Sequence, residues 1–83
     1  MIVTSKTPRL DLHNEIGDMV KVLTDQFIKD NILLKNDVIV IIHGISGKVI
    51  KKRLYEVLKE NKSVKSFKVN NWNIGETIVE LKI

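Results

Sequence analysis

Hydrophobic positions along the chain switch between a period of two and a period near 3.6. After Pro8, the run Leu10-Asp11-Leu12-His13 sets two leucines on one side and Asp and His on the other, which predicts a first strand. The apolar residues Ile16, Met19, Val20, Leu23 and Phe27 then recur at helical spacing, with Asn14 placed to cap the helix, Gly17 weakening its first turn and Asn31 near its end. Asn36-Asp37 predict a turn, and the run Val38 to Ile42 is apolar on both faces, as expected of an interior strand with a parallel neighbour. A second helix is predicted from Ser46 or Lys48 to Glu60, burying Ile50, Leu54, Val57 and Leu58, with Asn61 as its terminus. Alternation returns from Val64 to Val69, with Phe67 and Val69 inward. It resumes from Thr77 to Ile83, with Val79, Leu81 and Ile83 on one face and a turn-rich stretch, 70–75, in between.

The order of elements is therefore βαβαββ. If both helices cover the same face, right-handed crossovers carry the second strand to one side of the first and the third strand further the same way. The gap left is filled by the hairpin-connected fourth strand. The expected fold is a two-layer α/β (α+β) sandwich with a four-stranded mixed sheet in the order 1-2-4-3. Its open, solvated face would show Asp11, His13, Lys68, Glu80 and Lys82. No internal repeat or linker interrupts the pattern, so residues 1–9 read as an N-terminal arm and residues 10–83 as one domain.

Composition narrows the function classes. A chain of 83 residues supports one small core. With no cysteine there are no disulfides and no thiolate chemistry, and no apolar stretch is long enough to span a bilayer, so no membrane association is expected and the location expected is cytoplasmic. The net charge of +4 is unevenly spread: residues 1–42 hold five Lys/Arg against six Asp/Glu, and residues 43–83 hold nine against four. A basic second half favours a polyanionic partner, most simply nucleic acid, although basic surfaces also serve solubility alone.

The candidate chemistry gathers at two strand ends. Parallel neighbouring strands deliver their C-terminal ends to one edge of a sheet, where ligands bind in open α/β folds, so His13 and His43 are expected to converge there. Near neutral pH two imidazoles can divide the roles of base and acid in phosphodiester cleavage through a 2′-hydroxyl. Gly44 permits close backbone approach, and the amides opening the second helix, with Lys48, could hold a phosphate. His43 could equally be a structural strand terminus, and Asp11 could orient His13 or merely stand beside it. Lys48, Lys52, Tyr55, Lys59 and Lys62 fall on one side of the second helix. That stripe could be a solvated outer face, or, near the loop and with Lys51, a phosphate-tracking surface with Tyr55 available for stacking. Trp72 could stack on a base or cover the sheet edge. No cofactor is evident. Two His and one Asp could coordinate a divalent ion, but no compact carboxylate cluster is apparent.

Three stretches in order, LDLH, IIHG and GETIVELK, resemble the small MutS-related (Smr) domain family, whose pattern is Leu-Asp-x-His, His-Gly-x-Gly and Gly-x-Thr-x-Val. The resemblance implies a sandwich similar to the C-terminal domain of bacterial translation initiation factor three. It also implies nucleic-acid binding with endonucleolytic nicking of DNA or cleavage of RNA. It assigns Asp11 and His13 to the first motif, and His43 and Gly44 to the second, as catalytic and binding residues. Two positions depart from the pattern: Asn14 replaces a usual glycine, and Ser46 stands at the second glycine of His-Gly-x-Gly, with Gly47 one place later. Gly47 could restore the loop while the Ser46 hydroxyl caps the helix. Two functions remain open, a nuclease and a non-catalytic module that binds nucleic acid or the ribosome. Pure protein–protein interaction would leave the basic bias and both histidines unexplained.

Overall fold

The structure is a computed structural model that describes residues 2–83. It contains β1 (Arg9–Asp11), α1 (Gly17–Leu33), β2 (Val38–Ile42), α2 (Lys48–Glu60), β3 (Val64–Asn70) and β4 (Asn73–Leu81). The sheet order is β1-β2-β4-β3, with β1 parallel to β2 and β4 antiparallel to both of its neighbours, as the crossover argument requires. Both helices lie on one face. Their seam with the sheet is built from Leu12, Val20, Ile28, Ile39, Ile41, Leu54, Val57, Leu58, Val79 and Leu81.

The register fixes which side chains share a face. Leu10 pairs with Ile41 and Ile41 with Thr77, so these point toward the helices. Arg9 pairs with Val40, Val40 with Ile78 and Ile78 with Lys68, and this row faces away. Asp11, His13, Lys68 and Lys82 are exposed, but the outer face is not wholly wet. Val40 is fully buried without belonging to the helix-side core. Its cover is the arm: residues 2–8 line grooves on this face beside Val38, Ile78 and Glu80. A Thr4–Thr7 turn stabilises the arm, Arg9 Nη1 donates to the carbonyls of Thr4 and Thr7 at 3.1 and 3.2 Å, and the Pro8 carbonyl accepts from the Val40 amide at 2.9 Å.

Several boundaries differ from the sequence expectation. The first strand ends at Asp11, because the Asp11 carboxylate accepts the His13 amide at 3.0 Å and turns the chain. Asn14 does not cap α1. Ile16 occupies the cap position in an extended conformation with no side-chain bond, and the helix runs past Asn31 to Leu33. The buried seam of α1 is Val20, Thr24, Ile28 and Asn31, while Ile16 is 66% exposed. Asn31 is inside because its amide donates to the Phe27 carbonyl at 2.8 Å and its carbonyl oxygen accepts from Asn36 at 3.0 Å. The β3–β4 hairpin is tighter than expected, with β4 starting at Asn73, and Ile83 falls beyond β4 and is exposed.

Candidate functional site

The C-terminal ends of β1 and β2 do meet at one edge. The Leu12 amide donates to the Ile42 carbonyl at 2.7 Å, and a Cβ placed on Gly44 would lie 3.3 Å from the Cβ of His13. His13 is about half exposed, and its Nδ1 bonds the carboxylate of Asp11, the same oxygen that takes the His13 backbone amide. That bond is the main cause holding the Asp11 carboxyl below the usual carboxylate range. With Nδ1–H committed to Asp11, Nε2 is the nitrogen a neutral His13 offers as a proton acceptor.

His43 does not join it at the edge. The ring is 0% exposed and both of its nitrogens are used inside the protein. Nδ1–H donates to the Gly44 carbonyl at 3.0 Å, which leaves Nε2 to accept the Thr77 hydroxyl proton at 2.9 Å; Thr77 Oγ1 in turn accepts from the Tyr55 hydroxyl at 3.0 Å. Burial pushes the His43 pKa down, assisted by Lys51 and opposed by the Gly44 bond and Glu76. The expectation of two imidazoles reaching one phosphate is therefore corrected. The strand ends converge, but the His43 ring is turned into the core while the His13 ring is half exposed. Thr77, which sequence reasoning did not single out, is the central member of the buried chain. Its signal was available as the one polar residue on the inward side of Thr77-x-Val79-x-Leu81.

The loop from Gly44 to Gly47 is held against this chain. The Gly75 carbonyl accepts the amides of both His43 and Gly44 at 2.9 Å. Gly44 has φ +83°, a conformation that favours glycine. Gly47 has no room for a side chain, since a Cβ there would lie 2.3 Å from the His43 carbonyl oxygen. Ser46 is exposed and outside the left-handed region, so it replaces a glycine without strain. The expected Ser46 hydroxyl cap is absent: α2 is capped by Gly47 with no side-chain bond, and only the Ser46 carbonyl is engaged, by the Lys48 amide at 3.0 Å.

The first turn of α2 holds no acidic residue, and Lys48 and Lys52 are exposed. Among the described residues none of Lys48, Lys51 and Lys52 forms an ion pair. Tyr55 is not available for stacking on a ligand. It is half-buried edge-on against Phe67 with centroids 5.0 Å apart, its hydroxyl is taken by Thr77, and the Lys51 ammonium lies 5.5 Å above its ring. His43 has no free ring nitrogen to offer a metal, and no group of three or more His, Cys, Asp or Glu able to hold one occurs among the described residues.

Residues 10–82 match the family described as Smr domain. The chain belongs to the Smr domain family. It is 34% identical over 76 residues to endonuclease MutS2 of Lactobacillus helveticus and 37% identical over 76 residues to that of a Geobacillus species. Each match covers 88% of this chain and 10% of the relative, so the chain spans about a tenth of the length of these curated relatives. The Smr domain of Thermus thermophilus MutS2 has the same fold, with a TM-score of 0.87 at 21% identity over 93% of this chain and all of that one. YdaL, a stand-alone small MutS-related protein from Escherichia coli, superposes with a TM-score of 0.85 at 18% identity, covering 95% of this chain and 70% of that one. No helix among the described residues is long and apolar enough to cross a membrane.

Proposed function

We propose that this Smr domain binds nucleic acid across the His13–Gly44 edge and cleaves its backbone endonucleolytically, with His13 as the reacting base. The observation that carries the reading is the Asp11–His13 pair, a carboxylate-oriented imidazole, half exposed, with no hydrogen bond to its second nitrogen among the described residues, at a strand-end edge. Its MutS2 relatives are named endonucleases, which supports the same chemistry here. On RNA, Nε2 takes the proton of a 2′-hydroxyl, the 2′-oxygen bonds phosphorus, and the P–O5′ bond breaks with water protonating the departing oxygen. On DNA, His13 deprotonates a water, whose oxygen bonds phosphorus while one P–O bond to a sugar breaks and a second water protonates the departing oxygen. The amides of Val49 and Ile50 at the start of α2, with Lys48 and Lys52, offset the phosphate charge. Asp11 fixes the imidazole tautomer, and His43 positions the Gly44 loop without touching substrate.

The burial of His43 favours a second reading, a non-catalytic module that recognises nucleic acid or a ribosomal surface, because one exposed acid–base group does less than two. The deciding experiment incubates labelled structured RNA and branched DNA with the protein, with and without chelator, beside His13→Ala and Asp11→Asn variants. Cleavage lowered roughly 100-fold or more by His13→Ala supports the nuclease. Binding without cleavage in every case establishes the module.

A further inference from the structure

Trp72, at the tip of the β3–β4 hairpin, is 97% exposed, which neither packing nor the chemistry at His13 explains. The tip is built rather than loose: Asn70 Oδ1 accepts the Trp72 backbone amide at 3.0 Å, and Asn70 Nδ2 donates to the Glu76 carboxylate at 2.8 Å. Beside the indole lies an open groove of about 530 Å³ on the outer sheet face, lined by Arg9, Lys68, Asn71, Trp72 and Ile78 and walled by residues 3–5 of the arm. Ile78 and the indole give it apolar surface, and Arg9 and Lys68 give it two cations. Among the described residues neither Arg9 nor Lys68 forms an ion pair.

We propose that this groove binds an unpaired nucleotide of a single-stranded segment, its base stacked on Trp72 and its phosphates held by Arg9 and Lys68. An exposed aromatic beside cations that no carboxylate neutralises is what sequence-tolerant single-strand binding uses, because every base has a π-face. The volume is within the range of small-ligand sites. Position ties the groove to the edge: Arg9 stands two residues before Asp11 on the same face of β1, roughly 7 Å away by strand rise. The hairpin that carries Trp72 continues into Gly75, whose carbonyl holds the Gly44 loop. A duplex keeps its base faces stacked on one another and cannot fill such a site. The groove therefore selects substrates unpaired next to the scissile phosphate. This inference rests on the nucleic-acid reading above.

Trp72 is the sole tryptophan, so its emission reports occupancy directly. The intact protein is titrated at low salt with oligo(U), oligo(dT) and a blunt duplex, with binding followed in parallel by anisotropy of end-labelled strands. The expected result is quenching by both single strands and not by the duplex. Trp72→Ala should weaken single-strand binding roughly ten-fold, Trp72→Phe should largely restore it, and Lys68→Ala should weaken it several-fold. Single strands that bind by anisotropy without quenching, or a Trp72→Ala variant of unchanged affinity, overturn the groove and leave the nucleic-acid reading standing. No binding of any probe overturns both. An emission change on concentrating the protein alone, without nucleic acid, assigns the face to a second copy and also overturns the proposal.

Discussion

Gly44 and Gly47 shape the motif loop in different ways. Gly44 is required by its backbone angle, at φ +83°, and Gly47 by proximity, with 2.3 Å from a would-be Cβ to the His43 carbonyl oxygen. Ser46 between them meets neither constraint. Gly47→Ala should therefore displace the start of α2 or the end of β2 at a cost of about 2 kcal/mol, lowering the melting temperature by roughly 10 °C in a chain of this size. Ser46→Gly should change stability by only a few tenths of a kcal/mol and leave cleavage unaltered; thermal denaturation and a rate assay of the two variants check both. The shifted glycine was visible in the sequence, but the direction of His43 was hidden by the run Val38 to Ile42. A strand apolar on both faces does not announce which alternate set is inward. Only pairing with Leu10 and Thr77 puts Ile39, Ile41 and hence His43 on the helix side, while Asp11 follows Arg9 to the other.

The helices differ in how plainly they can be read. In α2 the apolar residues Ile50, Leu54, Val57 and Leu58 form a single narrow stripe, and all four are buried. In α1 apolar residues encircle the helix, with Val22 and Leu33 exposed, and two polar residues, Thr24 and Asn31, occupy the seam. Hydrophobic spacing alone therefore selects a face that is rotated from the real one. The lysines of α2 yield a prediction belonging to the helix as a unit. Replacing Lys48, Lys51 and Lys52 together with Ala should make the log–log salt dependence of binding shallower by roughly two units for single strands and somewhat more for duplex. Titrations across a salt series measure this. Stability should drop by at most about 1 kcal/mol, because only Lys51 has a packing role, above Tyr55.

At the scale of the whole molecule, stability should depend on pH through His43. Its folded pKa lies below the ordinary 6.5, so the unfolded chain binds the proton more readily. The contribution is complete above 6.5 and is lost as pH falls from there toward the lowered folded value. Melting temperature should decline between pH 7 and pH 5, and His43→Gln should flatten that decline even though it lowers stability at pH 7. An equal slope in the variant would assign the titration elsewhere. The exposed Asp11 carboxylate works in the same direction at lower pH, where its lowered pKa is crossed, and solvent screening keeps its share small.

The first and last described residues, Ile2 and Ile83, both lie near Lys35 and Asp37, at the end of β2 away from His13. Ile2 and Lys6 border a groove with Lys35, Asp37 and Val38, and Lys82 and Ile83 border another with Lys35 and Asp37, while the Leu81 amide donates to the Asp37 carbonyl at 2.8 Å. The proposed reacting edge is at the opposite end of β2. A polypeptide attached to either terminus, or to both, would thus leave from the rear, and the domain can be carried as cargo on a longer protein with its working edge facing outward. Such a tether would raise the local concentration of the proposed site at whatever its carrier grips, so targeting and the proposed cleavage could be supplied by separate parts of one chain.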